Sequence, residues 1–358
     1  MSQNKLIAVV ALCSLVLLVG ILSEERAEKE QIGSQEVSLN HDLPEKVTYS
    51  GPTMGTSFSV VYINTSGKED AVVNAQVLAS IELVNTQMST YKQDSNLSEF
   101  NRLPENSCYQ FPEDTYKVIS MAQEISKTTD GAFDVTIGPL VNMWGFGPNY
   151  KPEVIPDDRE IAKIKSTKVG YQSLELKGNN TVCKEKPVYV DLSAIAKGYA
   201  VDLAAKTLDN MGIDSYLVEI GGELKARGVK PNNQLWRVAV EEPSGGLGHS
   251  VHKVVELKDA AIATSGDYRN YYEVDGQRYS HTIDPVTGKP IKHSLASISV
   301  LHSSVAYADA IATGLNVMGP EKALALAKSE GLAIYMIVKK EQDFSVESTE
   351  QFNQYLLD

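Results

Sequence analysis

The chain has 358 residues, which is enough to bury a large core as one big domain or as two ordinary ones. Its composition is globular, with 42% hydrophobic and 22% charged residues, and its formal net charge is −13 at pH 7. This acidity argues against nucleic-acid binding, because a phosphate backbone needs a basic protein face. An anionic ligand of this chain would need a cation to mediate its binding.

An uncharged apolar run occupies residues 6–22, directly before a cluster of glutamates. Its length lies between that of a signal-peptide core and that of a minimal membrane span. We therefore expect residues 1–23 to be a signal peptide or an N-terminal membrane anchor, and the sequence leaves both open. Cys13 lies too early for a convincing lipoprotein acylation site. Residues 24–45 are polar and acidic, as in a linker, and the folded domain is predicted to span 46–358.

Hydrophobic periodicity predicts the first elements of this domain. Residues 57–63 are β-branched and aromatic, which predicts a strand. Apolar residues recur at steps of three and four between positions 73 and 88, which predicts an amphipathic helix. A second helix is predicted over 113–128, and the turn signal Asp130-Gly131 follows it.

The second half of the chain mixes short strands and helices without a strict βαβ alternation. Gly319-Pro320 predicts the start of a late helix, and Gly331 predicts its end. The other predicted strands are 188–192, 216–220, 235–240, 261–264, 278–283 and 296–301, and the other predicted helices are 194–211 and 307–317. This order favours an α+β fold with a largely antiparallel sheet and packed helices, as a single domain or as two intertwined subdomains. The usual glycine-loop dinucleotide sites are absent, since the sequence has neither GxGxxG nor a Walker A motif.

Two cysteines, Cys108 and Cys183, lie in the predicted folded domain. In an oxidising compartment they could form a disulfide, but their separation in sequence says little about geometry. Neither has a cysteine or histidine neighbour at the spacing of a zinc site. The sequence leaves a disulfide and two free thiols open.

The segment YADAIAT places Asp309 and Thr313 four residues apart in a predicted helix. Side chains at this spacing lie on one helical face, so a carboxylate and a hydroxyl point the same way. Such oxygen ligands suit magnesium, which keeps further positions for phosphate oxygens. The structural alternative is that Asp309 caps or solvates the helix and that Thr313 bonds back to its own turn.

The segment VDLSAIAKGYAVD is predicted to pass from a strand ending at Asp191 into a helix. Free amide groups at a helix start favour an anion, and Lys197 would add a positive charge for a phosphate. Capping by Asp191 or Ser193 with a solvated Lys197 is the structural alternative. That alternative does not explain why small residues crowd the turn.

His281 lies near the end of the predicted strand 278–283, before the turn-rich segment 284–288. A histidine there can take a proton from an incoming hydroxyl at neutral pH, although a lone histidine is more often structural. Nearer the start of the domain, Met54 and Tyr91 could sandwich a flat ring, and Asp134 could accept hydrogen bonds from ring or ribose groups. Core packing explains Met54 and Phe133 equally well. A further weak signal is Gly-Gly before Glu223, which permits close approach of a ligand to the backbone.

Eight segments of the chain, in order, resemble motifs of the ApbE family of FAD:protein FMN transferases. Together they cover most of residues 51–337. The segments are PTMGTS, MSTYKQDSNLSEFN, TDGAFDVTIGPLVNMWGFGP, VDLSAIAKGYAVD, YLVEIGGE, ATSGDYRNYY, SHTIDPVTGKPI and ADAIATGLNVMG.

The resemblance implies a magnesium-dependent phosphotransferase that splits FAD, places the FMN moiety on a threonine hydroxyl of a target protein and releases AMP. It implies acceptors among subunits of membrane redox complexes, such as the sodium-translocating NADH:quinone reductase and the Rnf complex. With the N-terminal apolar run, we expect an exported protein on the periplasmic side of the bacterial inner membrane, anchored or peripheral. A magnesium-dependent FAD pyrophosphatase and a non-catalytic flavin-binding carrier are the alternatives.

Carried over by position, the resemblance implies three groups of site residues. The magnesium ligands would be Asp309, Thr313, the Ala194 carbonyl and Ala312. The general base would be His281. The FAD contacts would be Met54, Tyr91, Lys92, Gln93, Ala132, Phe133, Asp134, Lys197 and Ile283.

Overall fold

The structure is a computed structural model that describes residues 46–147, 155–243, 251–266, 270–341 and 343–357. The predicted signal or anchor segment, 1–23, and the predicted linker, 24–45, lie outside the described residues. Within the described ranges, no helix is both long enough and apolar enough to cross a bilayer.

Helices and strands alternate irregularly along the described chain. The helices are α1 (Asp70–Met88), α2 (Asn96–Arg102), α3 (Glu113–Thr128), α4 (Gly138–Met143), α5 (Asp158–Lys168), α6 (Ser193–Asn210), α7 (Val305–Met318), α8 (Pro320–Glu330) and α9 (Glu350–Asn353). The first nine strands are β1 (Lys46–Thr53), β2 (Thr56–Ile63), β3 (Ser107–Gln110), β4 (Leu174–Lys177), β5 (Thr181–Lys184), β6 (Tyr216–Ile220), β7 (Glu223–Arg227), β8 (Trp236–Glu241) and β9 (Val251–Leu257). The remaining strands are β10 (Ala260–Gly266), β11 (Tyr271–Val274), β12 (Gln277–Ser280), β13 (Ile283–Asp284), β14 (Lys289–Pro290), β15 (Leu295–His302), β16 (Ala333–Lys339) and β17 (Phe344–Ser348).

An eight-stranded sheet forms the centre of the protein, in the order β1-β2-β6-β7-β10-β15-β16-β17. Every neighbouring pair in it is antiparallel. The predicted α+β fold with a largely antiparallel sheet is therefore confirmed. Its inner strand β15 is buried along nearly its whole length, because helices cover one face of the sheet and the β8–β9 hairpin covers the other. The strand LASISVLH therefore has no exposed face, and its two serines, Ser297 and Ser299, are buried together with its apolar residues.

The two central helices, α6 and α7, pack on the helical side of the sheet and touch backbone to backbone. A Cβ placed on Gly198 of α6 would lie 2.5 Å from the Val305 carbonyl oxygen of α7. Only glycine permits this approach, and the alanine-rich sequence of α7 keeps the rest of the interface thin. The candidate site described below lies along this contact.

A smaller apolar cluster lies beside the main core, and His281 contacts one of its members, Phe146. The cluster joins α4 and α5 to the β11–β12 hairpin and to Ile283, with Trp144 stacked on Tyr279 at a ring-centroid distance of 5.6 Å. Trp144 also donates its indole N–H to the Gly288 carbonyl at 2.8 Å. These contacts fix the turn-rich segment after His281 against the body of the protein.

Two predicted strands differ from the structure. Residues 188–192 form no strand and have only an isolated bridge, between Tyr189 and Ile137. The reason is that Asn101 takes the place of a neighbouring strand: its side chain bonds both the N–H and the carbonyl of Val190, each at 2.8 Å. The predicted strand 278–283 is interrupted at His281 and Thr282, which leaves β12 and β13 as separate strands.

The two cysteines form a disulfide. Cys108 in β3 and Cys183 in β5 occupy directly opposed positions of a three-stranded sheet, and their sulfur atoms are bonded. The structure therefore answers the question that the sequence left open in favour of pairing.

Candidate functional site

Three charged side chains meet where the α6–α7 contact reaches the end of the β6–β7 hairpin. The Lys197 ammonium of α6 lies 2.6 Å from Glu223 Oε1 and 4.0 Å from Asp309 Oδ2. Glu223 and Asp309 are only 4% and 6% exposed. The Lys197 side chain is 28% exposed, so the ion pairs join two buried carboxylates to a half-buried ammonium group. We call Lys197, Glu223 and Asp309 the lysine cluster below.

A two-glycine turn brings Glu223 to Lys197. Gly221 and Gly222 have φ values of 60° and 103°, which glycine adopts without steric cost. A Cβ on Gly221 would lie 2.9 Å from a methyl group of Thr56 and 3.5 Å from Cδ of Lys197. The Gly222 amide donates to Glu219 Oε1 at 2.7 Å, which closes the turn. The turn is therefore tight because it packs directly against the lysine side chain.

Burial and charge perturb every member of the lysine cluster. Burial alone would lower the pKa of Lys197, but Asp309, Glu223 and Glu219 together raise it above its ordinary value. Burial raises the pKa of Glu223 to about 8, although the lysine opposes this shift. Burial likewise raises the pKa values of Asp309 and Glu219. Three carboxyl groups thus act on one half-buried ammonium group.

One carboxylate oxygen of the lysine cluster has no hydrogen-bond partner among the described residues. Glu223 Oε2 is buried, and no hydrogen bond reaches it from any part of the chain that the structure describes. A buried polar atom without a partner costs about 1–3 kcal/mol, more if it is charged. The surplus of carboxyl oxygen suits a site that receives a cation.

The predicted metal ligands lie along one side of the α6–α7 contact. Asp309 does not cap or solvate its helix: it is buried, and its Oδ2 accepts a hydrogen bond from the Gly198 amide at 3.2 Å. In a regular helix that amide belongs to the turn beginning at the Ala194 carbonyl, so the contact brings Asp309 to this turn. Ala312 is fully buried on α7.

Thr313 follows the structural alternative in part. Its hydroxyl donates to the Asp309 carbonyl at 3.1 Å, within its own helical turn. A hydroxyl that donates one hydrogen bond keeps its oxygen lone pairs, so Thr313 can still serve as a ligand. The described residues contain no group of three or more histidine, cysteine, aspartate or glutamate side chains arranged to hold a metal. The donor set is instead carboxylate, hydroxyl and carbonyl oxygen, which fits magnesium with phosphate oxygens completing its coordination.

His281 is oriented by the β11–β12 hairpin. Its backbone N–H donates to the Asn270 carbonyl at 3.0 Å, and its ring Nδ1 lies 3.0 Å from the same oxygen. Because a carbonyl only accepts, this geometry favours the tautomer with hydrogen on Nδ1, and Nε2 is then the basic nitrogen. Phe146 contacts the imidazole edge-on at a centroid distance of 6.3 Å. The arrangement is compatible with a base, a role that stays a prediction.

Met54 and Tyr91, the predicted ring contacts, lie in turns. Met54 has a φ of 46° in the β1–β2 turn and packs partly against the main core. Tyr91 is 67% exposed, and partial burial, together with the negative charge of Asp191, raises its pKa above the ordinary value. An exposed aromatic ring next to the start of α6 can stack on a planar ligand.

Lys92 and Gln93 follow Tyr91 in the same loop. Lys92 forms an ion pair with Glu82 of α1. The Gln93 carbonyl accepts a hydrogen bond from Arg102 Nη1 at 2.6 Å. These contacts fix the loop, and the predicted FAD contacts of both residues remain to be tested.

Ala132, Phe133 and Asp134 form the loop after α3, and all three are buried. Phe133 packs into the main core, which is the alternative left open by the sequence. Asp134 accepts hydrogen bonds from the Thr136 amide at 2.7 Å, from the Thr136 hydroxyl at 2.6 Å and from the Tyr171 amide at 3.0 Å. Its carboxylate therefore already organises its own loop, and a ligand would have to share it.

Five of the predicted residues lie on α6 and α7. Lys197 and Asp309 meet directly, and Ala194, Ala312 and Thr313 lie on the same two helices. Ile283 is buried in the small cluster beside His281.

Sequence reasoning gave no role to Glu219 or Glu223. The Gly-Gly pair at 221–222 indicates the turn between these two glutamates, but nothing in the sequence predicts that Glu223 pairs with Lys197. The two residues are far apart in the chain, and only the β6–β7 turn brings them together.

Comparison with known proteins covers most of the chain. Residues 54–336 match the model of the ApbE family. The FAD:protein FMN transferase of Vibrio cholerae serotype O1 is 44% identical over 314 residues, which cover 87% of this chain and 93% of that protein. The FAD:protein FMN transferase of Escherichia coli K12 is 39% identical over 317 residues, covering 87% and 90%.

Solved structures agree with these relatives. The flavin transferase ApbE from Vibrio cholerae superposes with a TM-score of 0.81 at 42% identity, covering 87% of this chain and 99% of that chain. The apo form of Pseudomonas stutzeri flavinyl transferase ApbE gives a TM-score of 0.80 at 41% identity, covering 87% and 96%. The curated relatives are transferases, in agreement with the enzyme class expected from the sequence.

Proposed function

Since this chain belongs to the ApbE family, we propose that it is an FAD:protein FMN transferase. It moves the FMN moiety of FAD to a threonine hydroxyl of a target protein and releases AMP. The family match and the transferase names of relatives that span nearly the same length support the reaction class. The threonine, the metal and the acceptor proteins rest on the motif resemblance and on the chemistry of the site.

The single observation that carries the proposal is the lysine cluster. A half-buried ammonium group between buried carboxylates can bind a diphosphate only if a further cation offsets the carboxyl charge. Asp309 and Thr313 would hold magnesium, with the Ala194 carbonyl and Ala312 beside them. When bound, magnesium would neutralise negative charge on the diphosphate and on the departing AMP. Lys197 adds its own positive charge to the same phosphates.

The transfer replaces one phosphorus–oxygen bond by another. The acceptor threonine oxygen bonds to the phosphorus of the FMN phosphate, and the bond from that phosphorus to the bridging oxygen breaks. AMP leaves with the bridging oxygen, and the threonine proton passes to Nε2 of His281. Holding the hydroxyl in line with the breaking bond supplies much of the rate enhancement.

The isoalloxazine end of FAD needs an aromatic or apolar surface. Met54 and Tyr91 supply it, and the loops around Lys92, Gln93 and 132–134 line the rest of the nucleotide. Ile283 lies next to the base. No cysteine or serine nucleophile is needed, because the acceptor attacks FAD directly.

The acceptors are subunits of membrane redox complexes, such as the sodium-translocating NADH:quinone reductase or an Rnf-type complex. The protein acts on the periplasmic side of the bacterial inner membrane, exported and anchored or peripheral through residues 1–23. The apolar run at the N-terminus and the disulfide between Cys108 and Cys183 support an oxidising compartment.

One experiment tests the reaction. The purified protein is incubated with FAD, magnesium and an acceptor subunit, and the denatured acceptor is examined for covalent flavin fluorescence. We expect labelling of the acceptor and an equal amount of AMP, and no labelling when the target threonine is replaced by alanine. Free FMN and AMP without labelling would indicate a pyrophosphatase instead. Intact FAD after long incubation would indicate a flavin-binding carrier.

A further inference from the structure

Asp202 of α6 binds the start of α7, the helix that carries Asp309. Its Oδ2 accepts hydrogen bonds from the Ser304 hydroxyl at 2.7 Å and from the Ala306 amide at 3.1 Å. Its Oδ1 receives the Lys225 ammonium of β7 at 2.7 Å. One carboxylate therefore joins a strand and two helices.

Ser304 links this carboxylate to the capping of α7. It is the N-cap residue, and its side-chain oxygen accepts a hydrogen bond from the Tyr307 amide at 3.3 Å. The Ala306 amide is one of the amide groups that a helix start leaves without an internal partner. Asp202 thus supplies the negative charge that the positive end of the α7 dipole favours, and it does so from the neighbouring helix.

The contacts between α6 and α7 form successive rungs. Asp202 of α6 bonds Ser304 and Ala306 at the start of α7. One turn before Asp202 on α6, the Gly198 amide bonds Asp309, which lies one turn further along α7. The two helices run in opposite directions along this contact. Continuing by one turn brings Ala194 of α6 opposite the turn of α7 that contains Ala312 and Thr313.

We propose that Asp202 is a positioning residue that fixes the register of α7 against α6 and so sets the spacing of the oxygen ligands of the proposed magnesium site. The proposal rests on the proposed function for the identity of that site. Asp202 itself touches neither metal nor FAD. It acts through Ser304 and Ala306, because a slip of α7 along α6 would move Asp309 and Thr313 away from the turn of Ala194.

Metal binding distinguishes a positioning role of Asp202 from a purely structural one. A residue that only stabilises the fold would lower the melting temperature when changed, and the remaining folded protein would bind the ion as before. A positioning residue weakens ion binding in protein that is still folded. Partners one layer removed from a metal ligand commonly change metal affinity by about 10- to 100-fold when altered.

Asp209 provides a matched control on the same helix. It lies two turns after Asp202, its carboxylate accepts a hydrogen bond from the Tyr216 hydroxyl at 2.8 Å, and it pairs with Arg227 of β7. Its contacts resemble those of Asp202 in kind, with one cation from β7 and one hydroxyl. They do not reach α7.

The test compares Asp202→Asn and Asp209→Asn in the whole protein. Binding of Mn²⁺ to the protein alone is measured from the electron paramagnetic resonance signal of the free ion, and the magnesium concentration for half-maximal flavin transfer is measured beside it. Asp202→Asn is expected to weaken Mn²⁺ binding about 10-fold or more and to raise the magnesium requirement similarly. Asp209→Asn is expected to change both less than twofold, even if its melting temperature falls as much.

Wild-type Mn²⁺ affinity in Asp202→Asn would overturn the proposal, and so would equal weakening in both variants. If Asp202→Asn does not fold, Ser304→Ala removes the hydroxyl through which Asp202 acts, and it is expected to weaken Mn²⁺ binding several-fold; unchanged binding would again refute the idea. Wild-type protein that binds Mn²⁺ but never labels an acceptor would contradict the proposed function alone. Wild-type protein that binds no Mn²⁺ would contradict the positioning role.

Discussion

Glu223 forms an ion pair with Lys197 through only one of its two carboxylate oxygens. One carboxylate oxygen of Glu223 receives the ammonium group at 2.6 Å, and the other is buried without a hydrogen-bond partner within the described residues. A buried ion pair gains stability only when its remaining polar atoms are also satisfied. The unpaired oxygen therefore destabilises the protein locally where α6 packs against the β6–β7 turn. Such local costs are common at sites that bind a ligand.

Asp309→Ala tests the metal assignment. The change removes the only carboxylate among the proposed ligands, so the rate of FMN transfer should fall on the order of 100- to 1000-fold, as when a single electrostatic group is lost from an active site. The measurement is acceptor labelling at saturating FAD over a magnesium series. Thr313→Ser, which keeps the hydroxyl, serves as control and should retain most activity. Undiminished labelling by Asp309→Ala would place the metal elsewhere.

His281→Ala tests the base. Loss of a general base should slow labelling by about 100- to 10,000-fold. FAD affinity, measured by flavin fluorescence quenching, should change little, because the imidazole acts on the acceptor hydroxyl. Added imidazole should restore part of the rate, since it can occupy the vacated space. Equal losses in FAD binding and in labelling would argue for a binding role.

Glu223→Gln tests the effect of burial on stability as a function of pH. The folded-state pKa of Glu223 is raised to about 8 from an ordinary value of 4.5. A raised pKa means that the folded state holds the proton more tightly, so this stabilisation is complete below pH 4.5 and is lost as the pH rises through 8.

The free energy of unfolding in urea, measured with a chelator at pH 5 and at pH 8.5, should therefore fall more in the wild type than in Glu223→Gln. The neutral amide does not titrate, so its curve should be flatter over this range. If the free energies of unfolding of the two proteins fall equally between these pH values, the folded state does not raise the pKa of Glu223.

Gly198→Ala tests the close contact of α6 with α7. The added methyl group would meet the Val305 carbonyl oxygen at 2.5 Å, and this atom cannot move without shifting the helix. Overpacking of this kind costs about 1–3 kcal/mol or more, and it should also weaken Mn²⁺ binding because Asp309 shifts with α7. Gly178→Ala is the matched control, since no atom would lie within 4 Å of the methyl group added there. Equal stabilities of the two variants, measured by urea unfolding, would contradict the contact.

Local patterns in the sequence predict much of the fold. The helix at 113–128 is predicted at both ends, because its apolar period is regular and Asp130-Gly131 stops it with two positive φ values. The strand at 216–220 is likewise confirmed, because alternate residues face the core. In both segments the signal is contained in the segment itself.

Features that depend on distant partners are not predicted. Residues 188–192 resemble a strand in sequence, yet the backbone of Val190 bonds the side chain of Asn101, from elsewhere in the chain. The spacing of Asp309 and Thr313 predicts a shared helical face, but not that the Gly198 amide of α6 donates a hydrogen bond to Asp309. The pairing of Lys197 with Glu223 requires the β6–β7 turn in three dimensions.

The bond between Cys108 and Cys183 also makes a covalent ring from the chain between them, which includes the predicted nucleotide loop 132–134. A protease that cuts once within this ring leaves two fragments that still migrate as one molecule until a reducing agent is added. Where such bonds persist, a protein cut once in this ring would thus keep loop 132–134 attached to α6 and α7.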